Sequence, residues 1–176
     1  MWPIHVVFLE LIIDPACSVI FEAEQAEKNV MSRPPRKIDE PFFGSKKIFI
    51  SCFQGICILI ATLGVYFVTL EIGYVIGEVR AMTFATLIFA NIATILTNRS
   101  WESSIFTILC TPNKTVKWVV GGAALFILLV LTIPFLQRLF QFEPVSIWEI
   151  AITFAIGMST MIWFEIYKHF WLRKQD

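Results

Sequence analysis

Charge is what this sequence has least of: 16% of its 176 residues are Asp, Glu, Lys or Arg, against 57% that are hydrophobic. Neither sign dominates, with 14 basic and 14 acidic residues. A chain without a basic field has nothing to neutralise nucleic-acid phosphates, so nucleic acid is excluded as a partner. Cysteine is also sparse. Cys17, Cys52, Cys57 and Cys110 form no Cys-x-x-Cys pair and have no histidine at metal-ligand spacing, which excludes a zinc site and reads them as buried, reduced thiols. The first apolar run has no basic segment before it and is interrupted by Glu10 and Asp14, unlike a secretory signal. The stretch Gly44-Ser45-Lys46-Lys47 lacks the earlier glycine of a phosphate-binding loop, so no nucleotide site is expected there. No internal repeat or low-complexity tract stands out.

What the sequence does have is long apolar runs. A hydrocarbon core about 30 Å thick needs roughly 20 apolar residues as helix. Residues 48–70, 81–97 and 118–136 contain no acidic or basic side chain. A fourth run, 145–166, has Glu149 near its start, where it can reach the headgroups, and Glu165 at its other end. The first, 1–21, is long enough but carries Glu10, Asp14 and Pro15 in its middle. The fold class expected is all-α: a single transmembrane domain over 1–176, an integral membrane bundle of about five helices.

Twelve of the 14 Lys and Arg residues fall in the segments 22–47 and 98–117 and in the tail. Only Arg80 and Arg138 fall in the two other connections, around 71–80 and 137–144. Basic residues are retained in the cytoplasm, so the N-terminus is expected outside, the C-terminus inside, and 22–47 as a proline-rich cytoplasmic loop. The expected location is the plasma (inner) membrane, with the bilayer itself as a partner. The sequons at Asn98 and Asn113 then face the cytoplasm and stay unmodified.

Glu10 and Asp14 are four residues apart, so a helix projects both from one face. Each carboxylate costs about 2.5–3.5 kcal/mol at a bilayer centre, a cost that a bound cation offsets. Pro15 has no N–H for the carbonyl of Leu11 and disfavours helical geometry at Asp14, so the helix is expected to loosen there. Freed carbonyls beside carboxylates are hard oxygen ligands of the kind Ca²⁺ and Na⁺ prefer. Two other readings stand beside this one: an interfacial segment whose acids face water, and a membrane helix whose acids are protonated or paired with His5. In the third run Thr83, Thr86, Ala90, Thr94 and Thr97 form a small, polar stripe for close helix approach. Asn91 beside it and Gln54 in the second run each carry an amide oxygen that an ion could use. Trp163, Glu165, Tyr167, His169 and Trp171 read as interfacial anchors. Gly73 and Gly77 have a dimerisation spacing but fall in a connection.

The run Pro3-Ile4-His5-Val6-Val7-Phe8-Leu9-Glu10-Leu11-Ile12-Ile13-Asp14 and the later Met31-Ser32-Arg33-Pro34-Pro35-Arg36 resemble the type II, calcium-pump-like P-type cation ATPases. In that family the sixth membrane helix carries Asn-Leu-x-Thr-Asp or a related motif, and the loop behind it Met-x-Arg-Pro-Pro-Arg. A looser likeness continues from Arg80-Ala81-Met82 to the end of the chain. The resemblance implies membrane helices six to ten of such a pump. It implies that Asp14 is the central cation-binding carboxylate, that Glu10 stands for the family's asparagine, and that Asn91 stands where some members have a glutamate. Ile13 replaces a threonine ligand, so the likeness does not carry calcium selectivity with it. The transported ion would be Ca²⁺ or another cation.

None of Asp14, Asp39 and Asp176 begins the Asp-Lys-Thr-Gly motif that the pump cycle phosphorylates. No ATPase activity and no ATP site are therefore expected within these residues. The partners implied are the remaining helices and the cytoplasmic domains of a P-type ATPase. A scaffold derived from such a pump, without transport, is the rival reading.

Overall fold

The computed structural model describes residues 3–22, 44–98 and 114–172. Most of the loop at 22–47, Cys110, Asn113, and the side chains of Asp14, Cys17, His169 and Trp171 lie outside the described residues. Among the described residues seven helices follow in order: α1 (Pro3–Glu22), α2 (Ser45–Ile72), α3 (Ile76–Asn98), α4 (Lys114–Thr132), α5 (Pro134–Phe140), α6 (Ile147–Ser159) and α7 (Ile162–Leu172). No strand occurs among the described residues. The chain is an all-α membrane helix bundle, as its composition required. Among the described residues three stretches are long and apolar enough to cross a bilayer: Ile48–Ile72, Ile76–Asn98 and Ile147–Tyr167, the last formed by α6 and α7 together.

The α2–α3 hairpin closes far more tightly than the charges around it suggest. Gly73 takes a left-handed φ of 94°, and its N–H reaches the carbonyl of Leu70 while that of Tyr74 reaches Thr69. These bonds satisfy carbonyls that a helix end leaves orphaned. Glu78 then accepts from the N–H of Val75 at 3.0 Å, which caps the start of α3. The connection expected around 71–80 is thus reduced to residues 73–75, and Glu71, Gly77 and Arg80 belong to helices.

The expected uninterrupted span at 118–136 is broken. Ile133 is extended (φ −83°, ψ 119°), and α4 and α5 meet there at 91°. The cause is Pro134: its ring disfavours helical geometry at the residue before it, while its missing N–H suits the first turn of a new helix. The side-chain amide of Gln137 donates to the stranded carbonyl of Leu131 at 2.6 Å. That bond lets the bend sit inside an apolar bundle.

α3 is the hub, packing most extensively against α6 and α2 and also against α4 and α1. Small residues allow this. A side chain at Gly157 of α6 would put its Cβ 2.6 Å from Phe89 Cβ and 2.9 Å from the backbone nitrogen of Ala90. Thr83, Thr86, Thr94 and Thr97 each donate to the carbonyl four residues back, at 2.6–2.9 Å. Their hydroxyls therefore enter the interior without an unmet hydrogen bond.

Two surface expectations change. Cys52 is exposed and Cys57 half-buried, because the wide face of α2 is not covered by protein. Trp163 packs edge-on against Phe53 with ring centroids 4.6 Å apart, and its indole nitrogen is buried without a partner among the described residues. It is a packing residue between α7 and α2.

Candidate functional site

α1 is anchored by its first two turns. His5 is fully buried, and its Nε2 lies 3.0 Å from the carbonyl of Phe140 at the end of α5. A carbonyl can only accept, so Nε2 carries the proton. The rings of Phe84, Phe140 and Phe142 surround it, with centroids 5.2–5.7 Å away. One turn later Phe8 stacks on Phe126 at 4.2 Å and meets Phe140 edge-on. Ile20, near the other end of α1, is fully buried as well.

Glu10 is exposed, in the middle of a helix whose His5 and Phe8 face the bundle. It carries no ion pair among the described residues, so pairing with His5 does not account for it. Asp14 follows one turn later along α1. The helix continues through Pro15 without the loosening expected at Asp14. One missing hydrogen bond does not end a helix whose flanking residues are helical, although the carbonyl of Leu11 still lacks the N–H that Pro15 cannot supply.

Asn91 is half-buried on α3 and donates to the carbonyl of Leu87 at 2.9 Å, which leaves its amide oxygen unused among the described residues. No hydrogen bond joins it to Glu10. No cluster of three or more His, Cys, Asp or Glu able to hold a metal occurs among the described residues. Gln54, the other amide considered as a ligand, pairs reciprocally with Asn98 at 3.1 and 3.2 Å and ties α2 to α3. That pairing also engages the sequon asparagine inside the bundle.

Polar side chains also gather away from α1's acids. At the end of the bundle where α1 begins, Arg80 donates to the carbonyl of Gln141 at 3.0 Å, and Gly77 lies directly against Glu143. Nearby, Ser146 and Glu149 form a capping box at the start of α6. The signal was legible, since Ser146-Ile147-Trp148-Glu149 has the required spacing. Tyr74, from the α2–α3 turn, and Glu149 line the same cavity. The Glu149 carboxylate, as hydrogen-bond acceptor and as charge, and more weakly the Glu78 charge hold the phenol above its ordinary 10.0.

The comparisons agree with this architecture. The family described as "Cation transporting ATPase, C-terminus" matches residues 1–170. The chain is 26% identical over 168 residues to calcium-transporting ATPase 1 of Yarrowia lipolytica, covering 96% of this chain and 18% of the relative. It is 27% identical over 164 residues to the human calcium-transporting ATPase type 2C member 1, covering 93% and 18%. With calcium-transporting ATPase 1 of Lactococcus lactis it shares 29% identity over 167 residues, covering 94% and 19%. The chain thus spans less than a fifth of the length of these relatives. It belongs to the cation-transporting ATPase C-terminal family and corresponds to the C-terminal membrane part of a calcium-pump-like P-type ATPase.

Proposed function

We propose that this chain forms membrane helices six to ten of a cation pump and supplies part of its cation site through Glu10 and Asp14, with Asn91 as a further oxygen donor. One observation carries the reading: an exposed carboxylate, Glu10, unpaired among the described residues, stands in mid-helix on α1, in a chain matched along almost its whole length to the C-terminal part of cation pumps. An isolated carboxylate at that depth is costly. A cation, with ligands from helices beyond this chain, offsets the cost. The open side of α1 is where those helices would pack, and the domains that couple transport to ATP would come with them. The relatives are named as calcium transporters, which makes Ca²⁺ the first ion to test, with Mn²⁺ and Na⁺ beside it. The distribution of Lys and Arg supports an orientation with the start of α1 and the 73–75 and 141–146 connections on the outer or luminal side.

The test is thermal unfolding of the purified chain in detergent, with and without each cation. A cation that binds only the folded chain stabilises it by about 2.7 kcal/mol at roughly a hundred times its Kd. The expected result is stabilisation by millimolar Ca²⁺ or Mn²⁺ that disappears when Glu10→Gln and Asp14→Asn are combined, while the double variant is more stable than the parent without cation. If no cation has an effect and the amides change nothing, the site is absent and the scaffold reading replaces it.

A further inference from the structure

A cavity of about 370 Å³ opens between α2, α3 and α6, within the roughly 300–1,000 Å³ of small-molecule sites. Its lining on α2 runs from Ala61 to Ile72, and it ends at Tyr74 and Glu149. At 1.5 Å per residue those eleven steps cover about 16 Å, which is half of a 30 Å hydrocarbon core. The groove begins near the middle of α2 and stops at the bundle's end. A neighbouring transmembrane helix would need a groove that crosses the whole bilayer, whereas one acyl chain of one leaflet needs only half.

The mouth differs from the walls. The walls are aliphatic apart from Thr69 and Thr153, whose hydroxyls are bonded to carbonyls of their own helices. The mouth holds the Glu149 carboxylate and the Tyr74 phenol, with Glu78 close enough to act on the same phenol. Neither carboxylate is in an ion pair among the described residues. Each accepts a backbone N–H, from Ser146 and from Val75, and retains lone pairs for a further donor. An apolar half-bilayer slot under the Glu149 carboxylate, which has no ion pair among the described residues, calls for a tail below and a hydrogen-bonding cation above.

From this geometry we infer that the groove is a binding site for a phospholipid with a primary ammonium headgroup, phosphatidylethanolamine, in the leaflet on the Tyr74 side. The ammonium donates to Glu149 and one acyl chain lies along Gly64 and Val68. A quaternary headgroup cannot donate those hydrogen bonds, and an anionic lipid is repelled.

The test is native mass spectrometry of the full chain released from nanodiscs containing equal parts phosphatidylethanolamine, phosphatidylcholine and phosphatidylglycerol. Retention of the ethanolamine lipid over phosphatidylglycerol by about tenfold is expected, the scale of a hydrogen bond to a charged group. Glu149→Gln keeps the capping box, since glutamine serves at that position, and should abolish the preference with no more than a small loss in thermal unfolding. Gly64→Leu places its side chain in the groove, because nothing lies within 4 Å of a Cβ at Gly64, and should remove the bound lipid altogether. Equal retention of all three lipids, or a preference that survives Glu149→Gln, overturns the headgroup assignment. Lipid retained unchanged in Gly64→Leu, or a dimer that Gly64→Leu abolishes, overturns the groove as a lipid site.

Discussion

α2 and α3 are consecutive helices of one hairpin, both long and apolar enough to cross a membrane, yet their surroundings are opposite. Across its apolar stretch α3 is 78% buried within the protein, whereas α2 is 22% buried. The buried helix is the less apolar of the two. In water the hydrophobic effect would favour the reverse, but lipid is as apolar as leucine, so helices associate through close packing and hydrogen bonds. α3 offers alanines and self-satisfied threonines. α2 offers Leu59, Ile60, Leu63 and Phe67, which are exposed and suit lipid.

The largest test of that contrast compares two glycines. Gly157 lies against the α3 backbone, so Gly157→Leu should destabilise the chain by on the order of 3 kcal/mol in thermal unfolding. Gly64→Leu on the open side of α2 should be neutral or stabilise by up to about 1 kcal/mol, because the helix gains a better helix former. Equal losses at both sites would remove the distinction between protein-facing and lipid-facing helices. Next in size, Gln137→Leu leaves the carbonyl of Leu131 without its donor and should cost about 1–3 kcal/mol, read in the same assay. Asn98→Leu breaks the reciprocal amide pair that binds α2 to α3. Interhelical polar contacts in membranes average about 0.6 kcal/mol, and a loss of that order is expected.

The smallest effect is at the turn between these two helices. Glu149 raises the Tyr74 phenol above 10.0, so the folded chain holds that proton more tightly than the unfolded one. The contribution is complete below the unfolded value and is lost as pH rises through the folded one. Unfolding followed with pH should show a small alkaline loss that Tyr74→Phe abolishes, and tyrosinate absorbance should assign one late-titrating phenol.

The all-helical membrane class was legible because runs of 20 uncharged residues admit little else. So was the close-approach stripe of α3, because Thr83, Thr86, Ala90, Thr94 and Thr97 recur at helical spacing. The 91° bend was written in Ile133-Pro134, but the apolar run around it masked the signal. The tight 73–75 turn was hidden by charges that lie inside helices. The contact of His5 with Phe140, 135 residues apart, and the exposure of Cys52 depend on which helices become neighbours, which hydropathy alone does not encode. Of the candidate ligands, the sequence marked Glu10 and Asp14 by their cost. It did not separate Asn91, whose oxygen is unused among the described residues, from Gln54, whose amide is spent on Asn98.

The central claim is that α1 carries a cation-binding face that the rest of this chain leaves open. Its most direct test is equilibrium Mn²⁺ binding to the purified chain, read from the electron paramagnetic resonance signal of free Mn²⁺. The expected result is one bound ion per chain, lost in Asp14→Asn and in Glu10→Gln and weakened in Asn91→Leu. Absence of binding to the parent chain, or binding of equal strength in Asp14→Asn, would contradict it.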